Sequence, residues 1–233
     1  MNVHTKITRA FFVSAGKYKE KFKDAACVYP ISVGQSYHEG EKFLATINLI
    51  DANFKVCDIV VCDSLQRHTI QAIENLSEDD AYKKAIELGN QWLCRNENHI
   101  HHFSIPCEII RWDCWLKRKE YDVSKKMVDS LFLNNHEYKE AFIRTSKRFI
   151  DRYKSKQKSL IDYDFLEKKC IEYLKEECAV TLMWIEKRYN FNIYPGKRTE
   201  AMLASYHHKI DPISADLLGW IHINFKKVRK LYE

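Results

Sequence analysis

Three short, β-branched and almost continuously apolar runs, Val28–Ile31, Val56–Cys62 and Phe103–Ile110, constrain this chain more than any other feature. They lack the polar alternation of a sheet with one wet face, and read as strands buried on both faces of a parallel sheet. Helical patterns lie between them. Phe43, Leu44, Ile47 and Ile50 recur at three- and four-residue spacing after the first run. After the second, Ala81, Ile86, Trp92 and Leu93 occupy a segment opened by Ser77, Asp79 and Asp80, residues that suit a helix start. The order β-α-β-α-β is the repeating unit of a wound α/β sheet. From Lys117 to Tyr189 the pattern is almost wholly helical; Pro195 and Gly196 then break it before Ala201–Tyr206, which reads as a further strand. No repeat, low-complexity tract or linker divides the 233 residues, so one α/β domain over 1–233 is expected, its mostly parallel sheet flanked by helices.

Composition narrows the class. With 45% hydrophobic and 13% aromatic residues, and only six glycines and four prolines, the chain is neither disordered nor collagen-like and has enough apolar side chains for a sizeable core. No stretch approaches the roughly 18 consecutive apolar residues of a membrane span, and Met1 to Gly16 lacks the layout of a cleavable signal. A soluble cytoplasmic protein with no membrane partner is expected. Cys27, Cys57, Cys62, Cys94, Cys107, Cys114, Cys170 and Cys178 are scattered without a CxxC pair and read as reduced thiols, mostly in the core. The formal charge of +6 suits a nucleic-acid partner if it gathers on one face.

Two helical segments carry more than packing. In one, Tyr138, Phe142, Phe149 and Tyr153 form an apolar stripe, while Arg144, Lys147, Arg148, Lys154, Lys156 and Lys158 load the other side and the exit with positive charge. That face is either simply solvated or a phosphate-binding surface. In the other, Leu166, Cys170, Tyr173, Glu177 and Trp184 share a face, so Glu177 interrupts an apolar stripe. A carboxylate there needs a partner or a purpose.

Ligands of open α/β sheets bind outside the carboxyl ends of the strands, which here end at Ser32 and Asp63. The turn Ser32-Val33-Gly34-Gln35-Ser36-Tyr37 can present a serine hydroxyl near backbone N–H groups and a positive helix end, although such a serine also serves as a cap. Asp63 reads equally as a cap or as a partner ordering the loop through Arg67. No GxGxxG follows a strand and no GxxxxGK[ST] is present, so neither a dinucleotide nor ATP is implied. GxSxG is absent as well. Cys94, His99, His101, His102 and Cys107 match no common zinc-ligand spacing, and neither metal nor cofactor is expected.

Taken together, these residues resemble the cyclodipeptide synthases, which make cyclic dipeptides from two aminoacyl-tRNAs on a Rossmann-like fold similar to class Ic aminoacyl-tRNA synthetase catalytic domains. The serine motif is matched by Val28 and Ile31-Ser32 followed by Ser36-Tyr37. Asp58 to His68 is similar to the family's strand ending in an Asp-x-Leu-x-Arg turn, Tyr173-Leu174-Lys175-Glu176-Glu177 to its Tyr-aliphatic-x-x-Glu helix, and Tyr206-His207 to its later Tyr-His pair. There are departures. The family's motif has His six residues and Gly two residues before the serine, where this chain has Ala26 and Pro30, and a proline offers no backbone N–H. The aliphatic-Pro after the glutamate is Cys178-Ala179. The larger subfamily has Asn three residues after the serine with a later Tyr-His; the other has a different residue there with Tyr-Pro. With Gln35 read alongside Tyr206-His207, the chain resembles a minor Gln-containing branch.

The resemblance implies a ping-pong acyl transfer without ATP, in which Ser32 accepts the first aminoacyl group as an ester and a dipeptidyl enzyme then closes the ring. Tyr173 and Glu177 would hold the α-ammonium, Tyr206 would steady the oxyanion or relay a proton, and Gln35, His207, Val28 and Pro30 would shape the substrate pocket. Lys83, Lys84, Arg95, Arg144, Lys147 and Arg148 are the candidate tRNA contacts, and a monomer is expected. Gln35, one methylene longer than the asparagine of the larger subfamily, would reach into the pocket with its amide and favour an aminoacyl group that can hydrogen-bond, so a polar residue is expected in the product, with histidine first because the minor branch is associated with it. Two other readings stay open: a serine acyltransferase or hydrolase acting on a small ester, and a non-catalytic RNA-binding α/β module.

Overall fold

The computed structural model describes residues 6–14, 16–155, 161–186, 189–209 and 219–229. Lys156 and Lys158 of the expected basic exit lie outside the described residues. In chain order the elements are β1 (Lys6–Phe12), β2 (Ala26–Ile31), α1 (Gly40–Asp51), β3 (Val56–Val61), α2 (Arg67–Glu74), α3 (Glu78–Ile100), β4 (Ile109–Arg111), α4 (Trp112–Leu116), α5 (Lys119–Asn134), α6 (His136–Lys154), α7 (Tyr163–Glu186), β5 (Phe191–Tyr194), α8 (Glu200–Lys209) and β6 (Gly219–Arg229). The strands form one six-stranded sheet in the order β1-β6-β5-β2-β3-β4. Only β1 and β6 pair antiparallel.

The two central strands are buried on both faces. Cys27, Tyr29 and Ile31 of β2 join Cys57, Ile59 and Val61 of β3 in a core with Phe43, Ile47 and Ile50 of α1 and Trp92 of α3. Val28 and Val60 point the other way, into a core with Leu174, Cys178, Ala179 and Leu182 of α7. Alternate residues therefore feed two hydrophobic layers, which is why the sequence runs show no polar alternation. Helix α3 starts where the sequence placed it, the Ser77 hydroxyl accepting from the Asp80 N–H at 3.1 Å.

Two expected strands differ. Of Phe103–Ile110 only the end pairs as a strand: the Pro106 and Glu108 carbonyls accept from the Cys57 and Ile59 N–H groups of β3 at 3.1 and 2.8 Å, but the Asp51 carboxylate takes the N–H groups of Ser104 and Ile105 at 2.8 and 3.0 Å and Pro106 has none to give. Ala201–Tyr206 is helical and forms most of α8, its start held by the Met202 N–H donating to the Thr199 hydroxyl at 3.2 Å. An apolar run of this length does not distinguish strand from helix. Strands β1, β5 and β6 carried no run strong enough to be read.

The chain reverses its direction of winding between β2 and β5, which makes this the topological switch point of the sheet. Ile31 faces β3, since its carbonyl accepts from the Cys62 N–H at 3.0 Å. Pro30 therefore faces β5 and has no N–H to offer it. The β2–β5 ladder stops at Val28 and Asn192, and the two strands part where Ser32 and Tyr194 emerge.

Candidate active site

Ser32 opens a tight turn in which the Gln35 N–H donates to the Ser32 carbonyl at 3.2 Å. Gly34 is the third residue of that turn with φ +82°, the left-handed conformation that a type II turn requires there. The Ser32 Oγ lies 2.8 Å from the Tyr194 hydroxyl at the end of β5, which is 3.0 Å from the hydroxyl of Tyr37. Burial pushes both phenols above the usual tyrosine range, so both are neutral and able to donate at working pH. The Ser32 N–H is itself engaged, donating to Nδ1 of His38 at 2.9 Å.

Helix α7 covers this group. Half-buried Tyr173 and Glu177, four residues apart, share one face, and the Glu177 carboxylate raises the pKa values of Tyr173, Tyr194 and Tyr37. It therefore stands close to the serine cluster. Among the described residues nothing hydrogen-bonds or pairs with it, and burial alone pushes its pKa up to about 8. A desolvated carboxyl with no cation is a site prepared for one. Its neighbour Glu176 is in the opposite condition: Arg67 donates to both of its oxygens, the Trp112 indole N–H donates at 2.8 Å, and His68 Nε2 lies at 3.2 Å. Those partners hold the Glu176 pKa down at about 2 against its burial. Arg67 thus serves Glu176. Asp63 instead pairs with Arg111 and caps the Ser64 N–H at 2.8 Å. Helix α3 comes so close here that a Cβ on Gly89 would sit 2.6 Å from the Asp63 side chain.

The structure brings Ser32, Tyr173 and Glu177 together and adds Tyr194, which the sequence reading passed over. Tyr206 lies elsewhere in the same core, its hydroxyl buried without a hydrogen bond among the described residues and its ring under the Arg198 guanidinium at 4.5 Å. His207 is exposed. Among the described contacts neither reaches Ser32. The available signal was the pair Tyr194-Pro195 that closes β5. Gln35 is exposed, so its amide is not the buried group on which the polar-product expectation rested. Val28 and Pro30 are buried on the α7 side of the sheet. Beside Val28 stands Asn192, two residues before Tyr194, fully buried with both amide atoms unpartnered among the described residues.

Most of the expected basic contacts have an acidic neighbour. Lys84 pairs with Glu74, Arg95 with Glu39, and both Arg144 and Arg148 with Glu200; Lys83 lies 3.9 Å from Asp80, and Lys147 is exposed. All eight cysteines are free, five of them buried while Cys94 and Cys114 are exposed. Among the described residues no group of three or more His, Cys, Asp or Glu side chains is placed to hold a metal ion. No helix among them is long and apolar enough to cross a membrane.

No family model matches the chain, and no curated protein does. Solved structures do. The structure of a cyclodipeptide synthase from Fluoribacter dumoffii is 36% identical with a TM-score of 0.91, over 96% of this chain and 100% of that one. The cyclodipeptide synthase from Candidatus Glomeribacter gigasporarum, solved bound to Phe-tRNAPhe, shares the fold at 16% identity and a TM-score of 0.73, over 96% and 97% of the two chains. A Mycobacterium tuberculosis protein matches at 13% identity and a TM-score of 0.67 over 93% and 91%; its structure demonstrates that cyclodipeptide synthetases are related to type I tRNA synthetases. By its similarity to the Fluoribacter protein over nearly its whole length, this chain belongs to the cyclodipeptide synthases.

Proposed function

We propose that this enzyme joins two aminoacyl groups from tRNA by ping-pong transfer through an ester on Ser32. The observation that carries the reading is the unpaired carboxyl of Glu177 facing a serine hydroxyl held 2.8 Å from a neutral phenol. The Ser32 Oγ attacks the ester carbonyl of the first aminoacyl-tRNA, the bond to the terminal ribose breaks, and the serine proton passes to the ribose oxygen. Glu177 binds the α-ammonium and, with a pKa near 8, can take its proton when a free amine is needed. That amine attacks the second aminoacyl-tRNA, leaving a dipeptidyl ester on Ser32 and releasing the second tRNA. The terminal amine of the dipeptide then closes the ring and frees the serine. Ester exchanged for ester is close to isoenergetic, so the chemistry asks for positioning and charge stabilisation rather than ATP.

The oxyanion role falls to Tyr194, assisted by Tyr37, rather than to Tyr206. Pro30 has no N–H, the Ser32 N–H is occupied, and the Tyr194 hydroxyl is the donor beside the nucleophile. Tyr194-Pro195 with Gln35 also fits the family's Tyr-Pro subfamily better than a Tyr-His branch. A polar residue in the product remains our reading of the substrate, histidine among the candidates. Its support is now Asn192: two residues behind Tyr194 on the same face of β5, its amide is left unpaired at a cost of about 1 to 3 kcal/mol until a polar side chain meets it.

The tRNA surface we assign is the β1–β6 ribbon together with Lys147. Trp220, whose ring centre lies 5.6 Å from that of Tyr194, begins a face of β6 that runs on through His222 and Asn224 to Lys226, with Arg9 directly opposite on β1. Arg9 and Lys226 are exposed and form no ion pair among the described residues. Phosphate contacts at such a strip supply sequence-independent affinity.

The test is expression in a bacterium with mass spectrometry of the medium. Cyclic dipeptides from the wild type and none from Ser32→Ala support the reading. Ester cleavage without any tRNA requirement marks a hydrolase instead, and tRNA binding without product marks a binding module.

A further inference from the structure

Directly behind the nucleophile is an imidazole with no assigned role. The Ser32 N–H donates to His38 Nδ1 at 2.9 Å, and the residue is fully buried. Nδ1 also lies 3.4 Å from the Ser32 carbonyl, but the shorter contact, directed by the N–H, makes it the acceptor, and the ring proton then sits on Nε2. Nε2 is buried without a partner, which costs free energy that a phenylalanine of similar volume would not incur. What histidine provides beyond shape is the acceptor at Nδ1. The ring is also wedged edge-on among Tyr37, Tyr29 and Tyr194, at centroid distances of 4.6, 5.3 and 5.5 Å. Its carbonyl accepts the indole N–H of Trp92 at 2.8 Å, and the next residue, Glu39, binds Arg95 and Asn96. Trp92, Arg95 and Asn96 all belong to α3, so a chain of hydrogen bonds runs from a long, rigid helix through His38 to the nucleophile.

We propose that His38 is a positioning residue, whose Nδ1 fixes the Ser32 main chain against α3 and withdraws the Ser32 N–H from the reacting centre. The inference rests on Ser32 being the nucleophile. Burial, which pushes the His38 pKa down to about 3, keeps the acceptor bare at any working pH. With that N–H engaged and Pro30 lacking one, stabilisation of the oxyanion is left to the phenols, and the angle at which Ser32 meets Tyr194 depends on the imidazole. A small displacement of a positioned nucleophile is expensive in rate and nearly free in binding.

Two variants separate this role from packing. His38→Phe keeps a ring and loses the acceptor; His38→Asn loses the ring and keeps an oxygen where Nδ1 was. The full chain is mixed with a single equivalent of aminoacyl-tRNA, and the rate of acyl transfer to Ser32 is followed by mass spectrometry, normalised to the fraction of enzyme that binds tRNA. His38→Phe is expected to slow transfer by about tenfold or more with tRNA affinity changed by no more than about twofold, and His38→Asn to recover most of the rate. Equal rates in the two variants, or a faster rate in His38→Phe, would overturn the proposal. Absence of acyl transfer in the wild type would instead remove the seryl-ester reading on which it rests.

Discussion

Glu176 and Glu177 are consecutive residues of α7 that turn to different sides and meet opposite environments. Glu176 is 6% exposed and held by Arg67, His68 and Trp112; Glu177, about 100° further round the helix, stands near Tyr37, Tyr173 and Tyr194 and has no partner among the described residues. Their pKa values are driven apart, to about 2 and about 8. The first pair of environments holds α7 to the Arg67 turn; the second leaves a carboxyl that becomes comfortable only when a cation arrives. Of two such neighbours, the one left desolvated and without a partner is our candidate for the chemistry.

The comparison breaks most visibly in activity. Glu177→Gln should cut cyclic dipeptide formation by about a hundredfold or more, because the ammonium loses its only charged partner. Its stability should move the other way. The folded pKa of Glu177 is raised, so its carboxyl favours the native state least above pH 8, and the penalty grows as pH rises from about 4.5 to 8. Removing the charge should therefore raise the unfolding free energy at pH 8 by about 1 to 3 kcal/mol. Thermal scans from pH 5 to 8 check this; a variant that melts lower than wild type at pH 8 would show Glu177 to be structural.

Glu176→Gln should do the reverse. Leaving Arg67 buried without its carboxylate costs about 3 to 5 kcal/mol, read as a lower denaturant midpoint with an unchanged slope. The wild-type contribution is present above the unfolded pKa near 4.5 and is lost as pH falls from there toward 2. Turnover per folded molecule should stay within about threefold, since Glu176 faces away from Ser32.

Tyrosines sharpen the contrast further. Tyr194→Phe removes the donor beside the nucleophile and should slow turnover by about a hundredfold, whereas Tyr206→Phe should stay within about threefold. The smallest effect concerns the tRNA. Replacing Arg9 and Lys226 by alanine should lower the salt dependence of tRNA binding by about two counterions, whereas the same change at Arg144 and Arg148, which share the single carboxylate of Glu200, should lower it by about one at most. Electrophoretic binding titrations at several salt concentrations decide between the two surfaces.

What the sequence carried depended on how local the cause was. Strands β2 and β3 were readable because burial on both faces writes itself as a continuous apolar run, and α3 because Ser77 caps it. Tyr173 and Glu177 were readable because a helix places residues four apart on one face. Strand β5 has only four residues, Phe191–Tyr194, too few for a period to show. The contact that matters most, Ser32 with Tyr194, spans 162 positions and follows from the order of strands in the sheet, which no spacing rule encodes. His38 and Asn192 stand out only by what their buried atoms do or do not meet.

The most direct test is to incubate the purified enzyme with one aminoacyl-tRNA, digest it, and weigh the peptides. An aminoacyl adduct confined to the peptide that carries Ser32, absent in Ser32→Ala and strongly reduced in Glu177→Gln, is the predicted result. Cyclic dipeptide formed by Ser32→Ala at the wild-type rate, or product from the wild type with no adduct at any time, would contradict a seryl ester prepared by Tyr194 and Glu177.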